Sequence, residues 1–415
     1  MANTIVSEII IKNNLTQTKD NKVALISLAV LYFMMGFITC LNDTLVPFFR
    51  RGFSLTYSES SLVQFYFFIT YAIVSIPSGK IVERIGYKNG MVAGFSISAC
   101  GALLFYPAAA FHAYILFLAA LFILAIGIVL LQVAANPYIT ILGPAKTASS
   151  RLTLIQGIGS IGTTTAPLFG AYFILSHIEE STQTSKAVQF PYIGIAASLI
   201  FIAVIVFRLR LPDISPGNES SKSVTGKKKQ NIFSFRNLNF GVWAIFVYVG
   251  AEVAIGTFLT NYIADTLKIP EQDANKYVAF YWGGMLIGRL LGSIILRYIR
   301  SNKVLSFNAI ISIILIFISV NSSNYTAVWC MISIGFFNSI MFATIFSLSV
   351  FGLGKQTTTA SGLLSTAIVG GAIIPFLQGI LKDNFTWNIA FMIPVACYIY
   401  LLFFGLNGYK VRKKN

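Results

Sequence analysis

Twelve apolar runs constrain this chain more than any other feature of its sequence. Each is about 20 residues long, enough for an α-helix to cross a hydrocarbon core of about 30 Å. Lipid offers backbone groups no hydrogen-bond partner, and barrel strands would be shorter and alternate in polarity, so these runs must be helical. The sequence therefore predicts an all-α membrane protein with spans at 24–48, 60–79, 89–111, 114–141, 152–176, 190–209, 239–264, 275–297, 303–321, 326–350, 358–381 and 386–408.

Composition and charge exclude most other classes of protein. Hydrophobic residues make up 56% of the 415 residues and charged residues 11%, which is too apolar for a soluble protein of this size. With both termini cytoplasmic, most of the 30 Lys and Arg residues fall on cytoplasmic segments, so the net charge of +16 reflects topology. The basic run 227–229 has no nucleic-acid motif beside it. We therefore expect no nucleic-acid partner. The four cysteines lack metal-ligand spacing, so we also expect no metal site and no disulfide.

The spans fall into two sets of six. Residues 211–236 hold Pro, Gly, Ser and Lys without an apolar span, which predicts a cytoplasmic linker between a bundle at 23–210 and a second bundle at 237–408. We expect a cytoplasmic N-terminal tail at 1–22, which lacks the features of a secretory signal, and a basic cytoplasmic tail at 409–415.

An internal repeat supports this division. At a single offset of 208 residues, Gly127 meets Gly335, Gly162 meets Gly370 and Pro167 meets Pro375. Matches that keep one offset predict that spans 4 and 5 correspond to spans 10 and 11, as expected of two six-helix repeats.

Two carboxylates lie inside predicted spans. Asp43 occurs in FMMGFITCLNDTLVP at 33–47, and Glu252 occurs in YVGAEVAIGTFLTNY, each in the first span of its half and one residue from equivalence at the 208-residue offset. A carboxylate near the bilayer centre costs roughly 2.5–3.5 kcal/mol on insertion scales, so each is expected to face a cavity and to mark an ion or substrate pathway. The alternative for Asp43 is an interfacial cap at the end of the first helix.

Amide side chains recur inside the other spans. Each amide offers a donor and an acceptor, which suits the hydroxyl groups of a sugar in a water-filled cavity, and an aromatic ring can stack on a pyranose. The alternative for every one of these residues is helix packing. The candidates for substrate binding are Asn42, Gln64, Gln132, Asn136, Gln156, Asn261, Asn338 and the aromatic Phe342.

Two nucleotide-binding patterns are excluded. Gly157, Gly159 and Gly162 spell G-x-G-x-x-G, but they lie inside an apolar span and follow no strand, so they are expected to pack helices together. The sequence contains no G-x-x-x-x-G-K-[S/T] phosphate-binding loop. We therefore expect no cofactor and no built-in ATP motor, and energy for uphill transport would come from an ion gradient.

A short motif joins the second and third spans. The stretch GKIVERIGYK at 79–88 matches the pattern G-x-x-x-[D/E]-[R/K]-x-G-x-[K/R] of the major facilitator superfamily, although any cytoplasmic hairpin is rich in glycine and basic residues. A partial copy of this motif, Gly292 to Arg297, ends the eighth span. Leu296 stands there at the position that Glu83 occupies in the first half. The residues expected to take part in conformational gating are Gly79, Glu83, Arg84, Gly86, Lys88 and, inside the eighth span, Arg289.

Five separated stretches resemble the fucose–galactose–glucose:proton symporter family within that superfamily. They are FITCLNDTLVP, LQVAANPYITILGP, RLTLIQGIGSIGTTTAPLFG, YVGAEVAIGTFL and IMFATIFSL, and the resemblance runs from about residue 28 to 408. It implies twelve transmembrane helices in two six-helix pseudo-repeats, with a sugar bound near the midplane between them. In fucose-type members a helix 1 Asp and a helix 4 Glu are protonatable; the matching positions here are Asp43 and Gln132, and Gln156 matches a sugar-binding Gln.

Departures from the fucose type point to the glucose/galactose branch. Gly159, Phe342 and Met35 stand where fucose-type members have Asn, Tyr and Trp, whereas LQVAANPY and GAE resemble the other branch. We therefore predict a non-enzymatic, monomeric transporter of the bacterial inner membrane that imports D-glucose and D-galactose with protons, Asp43 or Glu252 carrying the ion. Sodium coupling, L-fucose or another sugar, and passive facilitation are alternatives. Short tails disfavour a membrane sensor, and amide-rich spans disfavour a drug efflux pump.

Overall fold

The computed structural model describes residues 25–41, 57–173, 188–209 and 232–411. All the regular secondary structure in these ranges is helical, and nine of the described helices are long and apolar enough by themselves to cross a membrane. The helices are α1 Leu25–Leu41, α2 Tyr57–Ile85, α3 Tyr87–Ala110, α4 Tyr114–Ile141, α5 Ala148–Phe173, α6 Gln189–Arg208, α7 Arg236–Leu267, α8 Glu271–Tyr298, α9 Ser301–Asn321, α10 Asn324–Val350, α11 Gly354–Asn384 and α12 Trp387–Gly408.

The two halves of the chain pack in the same pattern. In the first half, α3 packs against α4 and α6; in the second half, α9 packs against α10 and α12 in the same order. The halves meet where α2 and α4 contact α11, and where α5 contacts α8 and α10. The prediction of an all-α membrane protein with twelve helices in two six-helix pseudo-repeats is confirmed.

Helices extend beyond several predicted spans because hydropathy marks only the part of a helix that lies in lipid. The eighth predicted span begins at 275, whereas α8 begins at Glu271 with an acidic first turn that suits a helix N-terminus. Likewise α7 begins at Arg236, the last residue of the predicted linker, and α2 begins at Tyr57.

Glycine allows α1 and α5 to pack backbone against backbone. A side chain at Gly36 would overlap the carbonyl oxygen of Gly159, and one at Gly162 would overlap the carbonyl oxygen of Phe33. The expectation that the G-x-G-x-x-G stretch packs helices is therefore confirmed, since small residues let membrane helices approach closely.

One arginine holds the turn between α4 and α5. The Arg151 guanidinium donates to the carbonyl oxygens of Ile139 and Thr140 at 3.1 and 2.7 Å, and to those of Gly143 and Pro144 at 3.2 and 3.0 Å. The last carbonyls of a helix lack intrahelical partners, so this single side chain fixes how α5 leaves α4.

The halves are bonded to each other toward one end of the bundle. We call this the linker end, because α6 ends there at Arg208 and α7 begins there at Arg236. Hydrogen bonds that join the halves toward it are Tyr87 Oη to Thr358 Oγ1 at 2.8 Å, Ser150 Oγ to Ser293 O at 2.5 Å, Ser361 Oγ to Val133 O at 3.1 Å, and Ser149 Oγ with Ser347 Oγ.

The Ser361 bond depends on a helix breaker in the other half. Pro137 lies inside α4 and has no N–H, so the carbonyl four residues earlier, that of Val133, loses its intrahelical donor. The Ser361 hydroxyl of α11 supplies a donor from across the interface.

Candidate substrate and coupling site

Two amides in the first half carry unpartnered carbonyl oxygens. Gln132 of α4 and Gln156 of α5 are half-buried, and neither Oε1 has a hydrogen-bond partner among the described residues. Leaving a buried acceptor unpaired costs about 1–3 kcal/mol. A water molecule or a ligand hydroxyl that donates to these oxygens would remove that cost.

A third amide of the first half is committed to packing. Asn136 is buried, and its Oδ1 accepts a hydrogen bond from the Tyr32 hydroxyl of α1. This bond ties α1 to α4 one turn from Gln132. Tyrosine and asparagine that pair across helices satisfy each other in lipid, so this geometry is that of a helix contact.

The second half places a carboxylate against a guanidinium in the interior. Glu252 of α7 and Arg289 of α8 form an ion pair of 3.8 Å, with 14% and 19% of their side chains exposed. Arg289 Nε donates to Ser339 O of α10 at 3.2 Å, and Nη1 donates to Ser160 Oγ of α5. Arg289 therefore connects three helices of its own half to a helix of the other.

A break in α10 creates one of these contacts. The helical segments Asn324–Asn338 and Met341–Val350 are separated by two residues in a turn, Ser339 and Ile340. The carbonyl before the break and the first carbonyl within it accept side-chain donors, with Tyr248 Oη bonded to Asn338 O at 3.1 Å and Arg289 Nε bonded to Ser339 O. Irregular backbone at membrane depth is tolerated where protein or a cavity satisfies it.

Asn338 is saturated by tyrosines. It is fully buried; its Oδ1 accepts from Tyr398 Oη at 2.7 Å, and its Nδ2 donates to Tyr281 Oη at 3.1 Å. Tyr281 Oη in turn donates to Glu252 O at 3.2 Å. The amide of Asn338 therefore holds α8, α10 and α12 together.

Phe342 and Asn261 take different positions. Phe342 is half-buried, and its ring centre lies 6.4 Å from that of Tyr248, which precedes Glu252 by four residues on α7. Asn261 is exposed on α7, about 13 Å along the helix axis from Glu252 at 1.5 Å per residue. Phe342 therefore packs against a residue one helical turn from Glu252, whereas Asn261 lies more than two turns from Glu252.

Three of the predicted site residues cannot be placed. Asn42 and Asp43 lie outside the described residues, and Gln64 lies in α2 with its side chain outside them. Their assigned roles stay predictions from the sequence.

The loop motif contributes two contacts between the halves. Gly79 packs on α11, where a Cβ would lie 3.3 Å from Thr358 O, and Glu83 Oε2 accepts from Thr359 Oγ1 at 3.2 Å. Gly86 adopts φ +84°, a conformation that favours glycine, in the turn from α2 to α3.

The motif's basic residues lie elsewhere. Arg84 is exposed, and Lys88 Nζ stands 5.7 Å from the centre of the Phe207 ring of α6, within its own half. Arg289 belongs to the ion pair and lies apart from the loop motif.

Sequence reasoning missed the hydroxyl groups that bridge the halves. Ser149, Ser150 and Ser160 of α5 each make a hydrogen bond to the second half. Serine is common in membrane helices, where it bonds to its own backbone or to a neighbour. The sequence signal that could have found them is their clustering on one helix of the interface.

The fold and this arrangement define a membrane transport protein built of two repeated halves. The sequence model of the Major Facilitator Superfamily matches residues 28–374, and the chain belongs to that family. The expectation of a transporter, and not an enzyme, is confirmed by this membership.

Bacterial relatives indicate the branch of the superfamily to which this chain is most similar. The chain is 48% identical to the "Glucose/galactose transporter" of Brucella abortus biovar 1 (strain 9-941), over 95% of this chain and 97% of the relative. It is 46% identical to the "Putative glucose/galactose transporter" of Helicobacter pylori (strain J99 / ATCC 700824), over 96% and 100%. It is 32% identical to the "L-fucose-proton symporter" of Escherichia coli (strain K12), over 91% of both chains. The predicted membership in the fucose–galactose–glucose symporter family is confirmed.

Solved structures agree. The chain superposes with a TM-score of 0.84 at 30% identity on a structure of the Escherichia coli fucose:proton symporter FucP, and equally on a structure of the major facilitator transporter FucP in the outward conformation. Each match covers 94% of this chain and 99% of the other. A human organic anion transporter shares the fold alone, with a TM-score of 0.69 at 14% identity.

Proposed function

We propose that this protein imports a hexose, D-glucose or D-galactose, by alternating access coupled to protons. The observation that carries the proposal is the 48% identity, over nearly the whole of both chains, to a protein named glucose/galactose transporter. The unpartnered oxygens of Gln132 and Gln156 support it, because sugar hydroxyls are donors of the kind these acceptors lack.

Coupling to an ion rests on the carboxylates inside the spans. Asp43 and Glu252 are the candidates to bind a proton on one side of the membrane and release it on the other. Sodium is the alternative coupling ion, since a carboxylate with neighbouring carbonyls can also hold a cation. No other cofactor is required.

The proposed orientation rests on the distribution of charge. The excess of Lys and Arg on one side supports a topology with both termini and the linker in the cytoplasm of a bacterium and the spans in its inner membrane. The linker end is then the cytoplasmic end, and its contacts between halves correspond to an outward-facing state. The transporter functions as a monomer.

Alternating access requires those contacts to separate. As the halves rock, the hydrogen bonds of Ser150 with Ser293, Tyr87 with Thr358, and Glu83 with Thr359 break, and the site opens to the cytoplasm. These bonds are neutral or exposed, so each contributes about 1 kcal/mol and the closed state remains reversible.

Reconstitution into liposomes tests the proposal. Labelled D-glucose, D-galactose and L-fucose are offered under an imposed pH gradient, an imposed sodium gradient, or neither. We expect accumulation of glucose and galactose only with the pH gradient. Accumulation driven by sodium would reassign the ion, equilibration without accumulation would indicate a facilitator, and a preference for L-fucose would reassign the substrate.

Asp43→Asn identifies the carrier of the proton. The amide keeps the size and hydrogen bonding of the carboxyl but fixes it in a neutral state, so we expect uphill uptake to stop while sugar-for-sugar exchange continues. If this variant still accumulates sugar under a pH gradient, the coupling role passes to Glu252.

A further inference from the structure

We propose that Glu252 and Arg289 form the sugar-binding surface of the second half and bind neighbouring hydroxyls of the hexose. This inference rests on the proposed hexose transport. It names the groups of the second half that bind the side of the sugar facing away from Gln132 and Gln156. The first half offers acceptors, Gln132 and Gln156, and a hexose held between two halves needs polar contacts on both sides.

The ion pair has unused hydrogen-bonding capacity. Its 3.8 Å separation is too long for a direct hydrogen bond, so Arg289 Nη2 and Glu252 Oε1 face each other without sharing a proton. A guanidinium has five N–H donors, of which the described contacts use those to Ser339 O and Ser160 Oγ. Both side chains keep some exposure, so a hydroxyl group can reach them.

The guanidinium is held in place before any ligand arrives. Ser339 O, released by the break in α10, fixes Nε, and Ser160 fixes Nη1 from the opposite side. The planar fork then presents its remaining donors in a defined direction, which suits two oxygens on adjacent carbons. The Glu252 carboxylate can accept from the same hydroxyls.

The pair lies one helical turn from the acceptor in the first half. Ser160 Oγ, which accepts from Arg289, donates to Gln156 O at 3.1 Å, so Gln156 and Ser160 lie on the same face of α5. Gly157 lets α8 approach closely, since a Cβ there would lie only 3.4 Å from the Cβ of Arg289. One turn is about 5.4 Å, a distance that a single pyranose can bridge.

The other candidate for sugar binding in the second half is Asn338, and its hydrogen-bonding groups are already used. Asn338 has both ends of its amide bonded to tyrosines, so binding sugar would require breaking that network. A buried ion pair, in contrast, is weak evidence for stability, because its desolvation offsets most of its attraction. Ionisable residues within a membrane mark functional sites by default.

The test measures which hydroxyl each residue recognises. Equilibrium binding of the parent hexose and of its complete monodeoxy series is measured on purified wild type, Glu252→Gln and Arg289→Lys. In wild type, loss of the hydroxyls that meet the pair should weaken binding roughly 10- to 100-fold, as for hydrogen bonds to charged groups. In both variants that penalty should fall to about threefold or less, because the charged partner is gone or displaced.

A matched control changes another acid on the same helix. Asp265 of α7 accepts from Trp387 Nε1 at 2.8 Å toward the other end of the bundle, and Asp265→Asn should keep the wild-type deoxy profile. A merely structural role for Glu252 would weaken all the sugars equally and leave the profile unchanged, which would overturn the inference.

Two further outcomes are distinguishable. If wild type binds no hexose, the proposed function fails and this inference fails with it. If neither Glu252→Gln nor Arg289→Lys folds, Ser160→Ala decides, because it removes one support of the guanidinium without a charge change. Its penalty at the same hydroxyls should fall severalfold, and an unchanged profile would refute the assignment.

Discussion

The two halves differ in how they bond three of the amides predicted to bind sugar. In the first half, Gln132 and Gln156 bury carbonyl oxygens that have no partner among the described residues. In the second half, Asn338 is bonded at both ends of its amide. An unpaired buried acceptor costs free energy until something donates to it, whereas a paired one stabilises the fold. An amide inside a span is therefore open to a ligand only where no neighbouring side chain already bonds it, and Asn136 of the first half, bonded to Tyr32, resembles Asn338 in this respect.

The second half leaves a different group open. Glu252 and Arg289 are partly exposed there, and Arg289 bonds to Ser339 O and Ser160 Oγ with two of its five N–H donors in the described contacts. Gln378 of α11 departs from the comparison, because it is fully buried in the second half with both ends of its amide unpartnered among the described residues. Substitutions at these positions test which of the amides are structural and which are open to a ligand.

The largest effect is expected for Asn338→Ala. It removes the acceptor of the Tyr398 hydroxyl and leaves a cavity among three helices, so the free energy of unfolding should fall by about 2–4 kcal/mol. Thermal melting in detergent measures this. Tyr398→Phe is the partner variant, and the double variant should lose less than the two single losses together. A normal melting temperature with abolished sugar binding would make Asn338 a ligand.

Gln378→Met should have the opposite sign. Methionine matches the length of glutamine, and replacing an unpartnered buried amide by an apolar chain should raise the free energy of unfolding by about 1–2 kcal/mol. The melting temperature should therefore rise without a change in sugar affinity. A fall in stability would mean that a bound water or ligand satisfies this amide, and that the second half also holds an open amide.

Gln156→Ala should weaken sugar binding without weakening the fold. Loss of one neutral hydrogen bond corresponds to about 1 kcal/mol, or roughly a fivefold rise in the sugar dissociation constant, and Gln132→Ala should act in the same direction. The melting temperature without sugar should stay the same or rise. Gln189→Ala, at an exposed amide of α6 that donates to Tyr106 O, is the control and should bind normally. Unchanged affinity in the Gln156 variant would assign it to helix packing.

The smallest effect is expected for Glu83→Ala. Its hydrogen bond to Thr359 is exposed and joins the halves at the linker end, far from the amides, so transport should slow by about two- to fivefold while sugar affinity stays near normal. Thr359→Val should reproduce the effect, and the double variant should add little to it. A large loss of affinity with normal turnover would contradict the gating role.

Much of the fold could be predicted from the sequence because lipid leaves the backbone few choices. Runs of about 20 apolar residues must form helices there, and small residues such as Gly159 and Gly162 already mark the faces that pack. The motif at 79–88 predicted residues for conformational gating, but it did not say which of them would meet the other half. In the structure Gly79 and Glu83 contact α11, whereas Arg84 is exposed and Lys88 lies by Phe207 of its own half.

The site was less predictable. The sequence nominated Gln132, Gln156 and Asn338 for one role, since an amide inside a span has the same composition whether or not a partner meets it. Only the packing of α8, α10 and α12 showed that both ends of the Asn338 amide are hydrogen-bonded to tyrosines.

What the sequence determined by itself is therefore the helical membrane fold, its two repeats and the family, because periodic apolar length and breaker positions act locally along the chain. What only the tertiary structure decided is which polar groups find each other. Arg289 meets Glu252 of α7, Ser339 of the broken α10 and Ser160 of the other half, and Ser361 finds the carbonyl that Pro137 releases. Hydrogen bonds and ion pairs depend on distances of a few ångströms between separate helices, and no local pattern in a sequence specifies those distances.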